Sequence, residues 1–123
     1  MPKILIIDDD NDLRQALRVR LEKEDYQVVT AESGSEGLEV AQDVNPNLIV
    51  LDVSMPDMDG IQILEKLRRN IVTWEVPVLV LANCDLEARN HSQRVGVTRF
   101  LRKPLSPRHL VAEITRLLRA AET

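Results

Sequence analysis

Aromatic residues are nearly absent from this 123-residue chain: they make up 2%, as one Trp, one Tyr and one Phe. That leaves no stacking platform for single-stranded bases. Basic side chains are outnumbered by acidic ones, 16 against 20, for a net charge of −4. Surfaces that bind nucleic acid are normally basic, so direct nucleic-acid binding is not expected. Cysteine occurs once, at Cys84, so no disulfide can form within the chain, and nothing points to an oxidising compartment. No apolar run approaches the roughly 20 residues of a membrane helix. The start, MPKILIIDDD, sets acids directly behind a very short apolar run, unlike a secretory leader. The expected protein is therefore soluble and cytoplasmic, with no membrane partner. Repeats, low-complexity stretches, linkers and a glycine-rich phosphate loop are all missing.

What is present is a strong apolar content, 44%, in a length that suits one domain spanning residues 1–123. Short apolar runs alternate with longer amphipathic stretches. Ile4 to Ile7 reads as a strand. Leu13, Leu17 and Leu21 recur every four residues and predict a helix with one buried stripe. Val28, Val29 and Thr30 suggest a second strand, and Leu38 and Ala41 a helix that starts near Ser35 as N-cap. Leu48–Leu51 and Val78–Leu81 are continuous and apolar, as strands covered on both faces should be. Ile61, Leu64, Leu67 and Ile71 form another helical stripe. Phe100 and Leu101 sit in a short fifth strand, and Leu110, Ile114, Leu117 and Leu118 close the chain in a helix capped near Ser106. Between Leu86 and Gly96 a short, polar helix is expected. Five strand-then-helix units imply an α/β fold, doubly wound, with a parallel five-stranded sheet and five helices. Ligands of such sheets bind beyond the carboxyl ends of the strands.

The chemistry-bearing residues fall at those ends. Asp8, Asp9 and Asp10 follow the first strand, Asp52 the third and Lys103 the fifth. Any one of them alone would be a solvated loop residue, and Asp10 or Asn11 suits the cap of the first helix. Their joint placement on three strands decides otherwise. Carboxylates brought this close repel unless a cation joins them. Mg²⁺ fits such an oxygen-rich site. It would keep Asp52 ionised and nucleophilic, ready to form an aspartyl-phosphate. Phosphoryl transfer needs mainly positioning and charge neutralisation, which Mg²⁺ and Lys103 would supply. Pro56 and Gly60 shape the loop after Asp52.

These motifs, KILIIDDD, LIVLDVSMPDMDG and FLRKP, resemble the receiver domain of bacterial two-component response regulators over essentially the whole chain. The resemblance implies a flavodoxin-like fold with strand order 2-1-3-4-5. It implies that Asp9 ligates Mg²⁺ directly and Asp8 largely through water, with Asp52 and the backbone carbonyl of Ser54 as further ligands. Asp52 is then the phosphoacceptor, Lys103 contacts the phosphoryl group, and Phe100 is the aromatic switch. A cis bond before Pro104 is common in such domains. The donor would be a phosphohistidine on a sensor histidine kinase or phosphotransfer protein. Output would pass to an effector protein or an output domain. The chain would be no enzyme beyond catalysing its own phosphorylation and dephosphorylation.

The chain departs from the family pattern at one surface. A Ser or Thr hydroxyl usually ends the fourth strand, and here the residue is Ala82. A very small residue usually follows, and here it is Asn83. The stretch from Ala82 to Gly96 is also about one residue short of the family spacing. The alternative reading is an atypical receiver that binds protein constitutively without a phospho-switch.

Other patterns fail. An EF-hand from Asp8 would need glycine where Leu13 stands and glutamate where Val19 stands. An aspartate-based phosphatase would need a second aspartate where Ser54 stands. His91 and His109 lack ligand spacing, and Cys84 reads as a small hydrophobe. Trp74 is expected to pack at the opposite end of the sheet. Arg68, Arg69 and the arginines of the last helix read as solvated faces.

Overall fold

The computed structural model describes residues 1–54, 60–82, 99–103 and 105–121. The elements are β1 (Lys3–Ile7), α1 (Asn11–Lys23), β2 (Gln27–Ala31), α2 (Gly34–Val44), β3 (Leu48–Asp52), α3 (Gly60–Arg69), β4 (Val78–Ala82), β5 (Arg99–Arg102) and α4 (Pro107–Ala121). The expected helix between Leu86 and Gly96 lies outside the described residues, as do Cys84 and His91. All strand pairs are parallel, and the order is β2-β1-β3-β4-β5. This is the doubly wound sheet expected from the alternating pattern. Among the described residues, no helix is long and apolar enough to cross a membrane.

The apolar runs dictate the layers. Side chains alternate faces along a strand. Leu5, Ile7, Ile49, Leu51, Val78 and Val80 therefore share one face, where Ala41 of α2 and Ile63, Leu64 and Leu67 of α3 cover them. Ile4, Ile6, Leu48, Val50, Leu79, Leu81 and Leu101 share the other, under Leu17 and Leu21 of α1 and Leu110, Ile114 and Leu118 of α4. Both faces of β1, β3 and β4 are covered, so these strands need no polar alternation.

Caps set where the helices begin. Asp10 caps α1 by accepting from Leu13 N at 3.1 Å. Ser106 caps α4 by accepting from His109 N at 3.1 Å, and Pro107 takes the first helical position, where no amide is needed. For α2 the expected cap, Ser35, is incorrect. Ser33 caps it, accepting from Glu36 N at 3.2 Å, while Glu36 Oε1 accepts from Glu32 N at 3.1 Å. The spacing Ser33-x-x-Glu36 resembles a capping box, a stronger signal than the serine nearer the apolar stripe.

Three expectations around α3 also change. The helix ends at Arg69, and Ile71 is 88% exposed and outside the core. The chain turns at Asn70, whose side-chain oxygen accepts from Val72 N at 2.8 Å and whose carbonyl accepts from the amides of Thr73 and Trp74. Ile63 supplies the buried contact instead. Trp74 does not pack inside; it is 54% exposed. Arg68 is no solvated charge, because Nη1 donates to the carbonyls of Thr73, Trp74 and Val76 at 3.3, 3.0 and 2.8 Å.

Candidate functional site

Five parallel strands place their carboxyl ends on one edge. That edge brings together residues far apart in sequence. Asp52 is the last residue of β3, paired with Leu81, and is 1% exposed. Asp8 directly follows β1, where its amide donates to Ala31 O at 3.1 Å, and it is fully buried. Lys103 directly follows β5, held by its amide to Ala82 O at 2.8 Å. Its ammonium donates to Asp52 Oδ2 at 2.8 Å and stands 3.8 Å from Asp8 Oδ2. Asp9 is exposed at the rim. Carboxylate oxygens of Asp8, Asp9 and Asp52 lie within 4.8 Å of one another.

The hydrogen bonds leave one atom conspicuous. Asp52 Oδ1 accepts from Ser54 N at 2.8 Å, and Asp8 Oδ1 accepts from Asp10 N at 2.9 Å. Asp8 Oδ2 is buried without a hydrogen-bond partner. A buried carboxylate oxygen in that state carries a desolvation cost. Burial accordingly pushes the Asp8 carboxyl from its ordinary 3.8 up to about 6, and the nearby Asp52 charge adds to the rise. Burial alone would lower the Lys103 ammonium. Its bond to Asp52 and the charges of Asp8, Asp52 and Asp9 outweigh that, and its pKa is raised. One ammonium faces three carboxylates. A hard divalent cation among them would satisfy Asp8 Oδ2 and relieve the repulsion, so the donor set fits such an ion.

Of the expected site residues, the structure brings Asp8, Asp9, Asp52 and Lys103 together, with Asp10 serving as the helix cap. Ser54 lies in the turn directly after β3, its amide on Asp52. Gly60 supports that turn: a Cβ there would fall 2.3 Å from the Val53 Cα, so only glycine lets α3 start this close. Ala82 ends β4, 2% exposed, beside Arg102. Phe100 is half-buried and packs on the face covered by α2 and α3. Asn83, Pro56 and Pro104 lie outside the described residues.

One residue behind the site was not anticipated from the sequence. Arg14 is only 8% exposed, and its Nη1 donates to the Asp8 carbonyl at 2.6 Å. Its Nη2 donates to Asn11 Oδ1 at 3.1 Å. The signal was available: Arg14, Leu17 and Leu21 fall at helical spacing on one stripe, so α1 carries a cation on its buried face.

Comparison with known proteins bears on this arrangement. Residues 4–115 match the response regulator receiver domain family. Over 121 residues the chain is 40% identical to the "Probable transcriptional regulator ycf27" of Cyanophora paradoxa, covering 98% of this chain and 49% of that protein. It is 36% identical over 121 residues to the alkaline phosphatase synthesis transcriptional regulatory protein PhoP of Bacillus subtilis, covering 98% and 50% respectively. The chain thus spans about half the length of these curated relatives. The crystal structure of a CheY-like receiver domain protein from Methanospirillum hungatei superposes with a TM-score of 0.91 at 30% identity, covering 99% of this chain and 97% of that one.

Proposed function

The chain belongs to the response regulator receiver domain family of two-component systems, and on that premise we propose that Asp52 accepts a phosphoryl group with Mg²⁺ bound at the acid cluster. The observation that carries this reading is the contact of Lys103 Nζ with Asp52 Oδ2 at 2.8 Å, beside the buried, unpartnered Asp8 Oδ2. Asp8, Asp9, Asp52 and the Ser54 backbone carbonyl would hold the ion. When bound, Mg²⁺ supplies charge neutralisation at the transferring phosphoryl group.

The chain's own residues do the remaining work. Ser54 N–H fixes one Asp52 oxygen, which sets the direction of the carboxylate. The Asp52 carboxylate attacks phosphorus: an O–P bond forms and the N–P bond of the donor phosphohistidine breaks. The electron pair leaves with the imidazole, which takes up a proton. Lys103 stands where its ammonium can pass from Asp52 to a phosphoryl oxygen and balance the added charge. The donor is a sensor histidine kinase or phosphotransfer protein, and the reaction takes place in the cytoplasm. Reversal is hydrolysis of the acyl phosphate. The chain turns over no external substrate. Output passes to an effector protein or to an output domain of the kind that regulators such as PhoP would carry.

The test is direct. The protein is incubated with Mg²⁺ and acetyl phosphate and weighed by intact mass spectrometry. A phosphate adduct is expected, and Asp52→Asn abolishes it. No adduct with either acetyl phosphate or a kinase panel would sink the proposal.

A second reading rests on Ala82. The buried end of β4 offers no hydroxyl to bond a phosphoryl oxygen, which favours weak coupling between phosphorylation and shape. On this reading the domain serves as a protein-binding module with a single conformation.

A further inference from the structure

Arginine is almost never buried without a reason, because removing a guanidinium from water is costly unless its donors are used. Arg14 lies on the buried side of α1 and spends its donors on the loop that bears the acids. Its Nη1–Asp8 carbonyl bond, at 2.6 Å, is the shortest of the described side-chain bonds in this loop, and Nη2 reaches Asn11 Oδ1 at 3.1 Å. Its own amide donates to the Asp10 carbonyl at 3.0 Å. That amide bond opens α1 whatever the side chain, so what the guanidinium adds is the hold on the Asp8 carbonyl just before Asp9. The Asp8 carbonyl and the Asp9 amide form one rigid peptide plane. Pinning that carbonyl fixes the plane from which Asp9 projects, while Asp10 N holds Asp8 Oδ1 at 2.9 Å. The contact with Glu32, at 3.7 Å with Glu32 70% exposed, is too solvated to explain the burial.

We propose that Arg14 is a positioning residue for the acid cluster: it clamps the Asp8 carbonyl so that the Asp8 and Asp9 carboxylates stand preorganised to receive a divalent cation. This inference rests on the reading of the cluster as a Mg²⁺ site. Two effects of Arg14 oppose each other. Its positive charge near the cluster weakens cation affinity, whereas the clamp strengthens it by removing loop freedom before binding. The guanidinium bonds a main-chain carbonyl at 2.6 Å, and among the described residues its ion pair is with Glu32 and with no carboxylate of the cluster, so the clamp wins.

The experiment measures Mg²⁺ dissociation constants from amide NMR shifts of Asp9, Asp52 and Ser54, with melting curves in EDTA as a check on folding. Wild type, Arg14→Ala, Arg14→Lys, Asn11→Ala and Glu32→Gln are compared. Arg14→Ala is expected to raise the Mg²⁺ dissociation constant at least five-fold. Arg14→Lys keeps the charge and one donor and recovers at least half of that loss on a logarithmic scale. Asn11→Ala weakens binding about two-fold, and Glu32→Gln leaves it unchanged. Unchanged or tighter Mg²⁺ binding in Arg14→Ala overturns the proposal, since a merely structural arginine lowers the melting temperature alone. If Arg14→Ala does not fold, Arg14→Lys and Asn11→Ala decide by the same criterion. Failure of wild type to bind Mg²⁺ would instead refute the metal site itself, so the two outcomes are separable.

Discussion

At the scale of single residues, the acid cluster trades stability for readiness. Asp8 is fully buried with one oxygen unpartnered, and its folded pKa of about 6 lies above its ordinary 3.8. The folded, metal-free chain therefore holds this proton longer than the unfolded chain does. Below about pH 4 the group has no effect; stability falls as pH rises from there to about 6, and the full penalty remains above. Asp8→Asn removes the penalty while its amide oxygen can still accept from Asp10 N. The expected gain in metal-free stability is on the order of 2 kcal/mol at neutral pH. Denaturant melts in EDTA at neutral pH and near pH 4 check this; a gain of equal size at both would contradict it. Added Mg²⁺ should stabilise wild type more than this variant.

At the scale of elements, short polar contacts decide where helices stop and start. Ser33→Ala is expected to cost about 1 kcal/mol because it orphans Glu36 N, and Ser35→Ala clearly less. Equal losses in thermal unfolding would return the cap to Ser35. After α3, buried Thr73 donates from Oγ1 to Leu67 O at 2.6 Å, and Arg68 ties down three carbonyls. Thr73→Val should cost about 0.5–1.5 kcal/mol by removing the shorter of two bonds to Leu67 O, which keeps only the Asn70 amide at 3.3 Å. The apolar side chains near this turn are unequal. Ile63→Ala should lose about 2–5 kcal/mol, as core truncations do. Ile71→Ser, at an exposed site, should stay within about 0.5 kcal/mol.

At the scale of the whole molecule, the parallel sheet is what turns scattered residues into a site. Ala82 and Phe100 lie on neighbouring strands β4 and β5, one at the buried edge near Lys103 and one packed on the core. If the absent hydroxyl limits how phosphorylation is reported, Ala82→Thr should enlarge the phosphorylation-induced amide shifts around Phe100. Unchanged shifts would count against the absent hydroxyl as the limit.

Much of this was legible in the chain because it depends on local pattern. Continuous apolar runs marked β1, β3 and β4, four-residue spacing marked α1 and α4, and acids or a lysine placed directly after strands marked the site. Other features were not legible, since they depend on which groups meet across the fold. Ile71 matched the helical period, yet the Asn70 turn and the Arg68 contacts ended α3 before it. Arg68 read as a solvated charge until its carbonyl partners in the turn before β4 were in place, and Arg14 drew no reading until the loop after β1 supplied the Asp8 carbonyl. The sequence by itself determined the sheet-and-helix alternation and the residue types at the strand ends, because periodicity and strand-end position are properties of the chain. Only the tertiary structure decided that Asp8 is buried with an oxygen unsatisfied, that Lys103 reaches Asp52, and that Arg14 holds the loop. Those are distances between segments, and they exist only once the strands have paired.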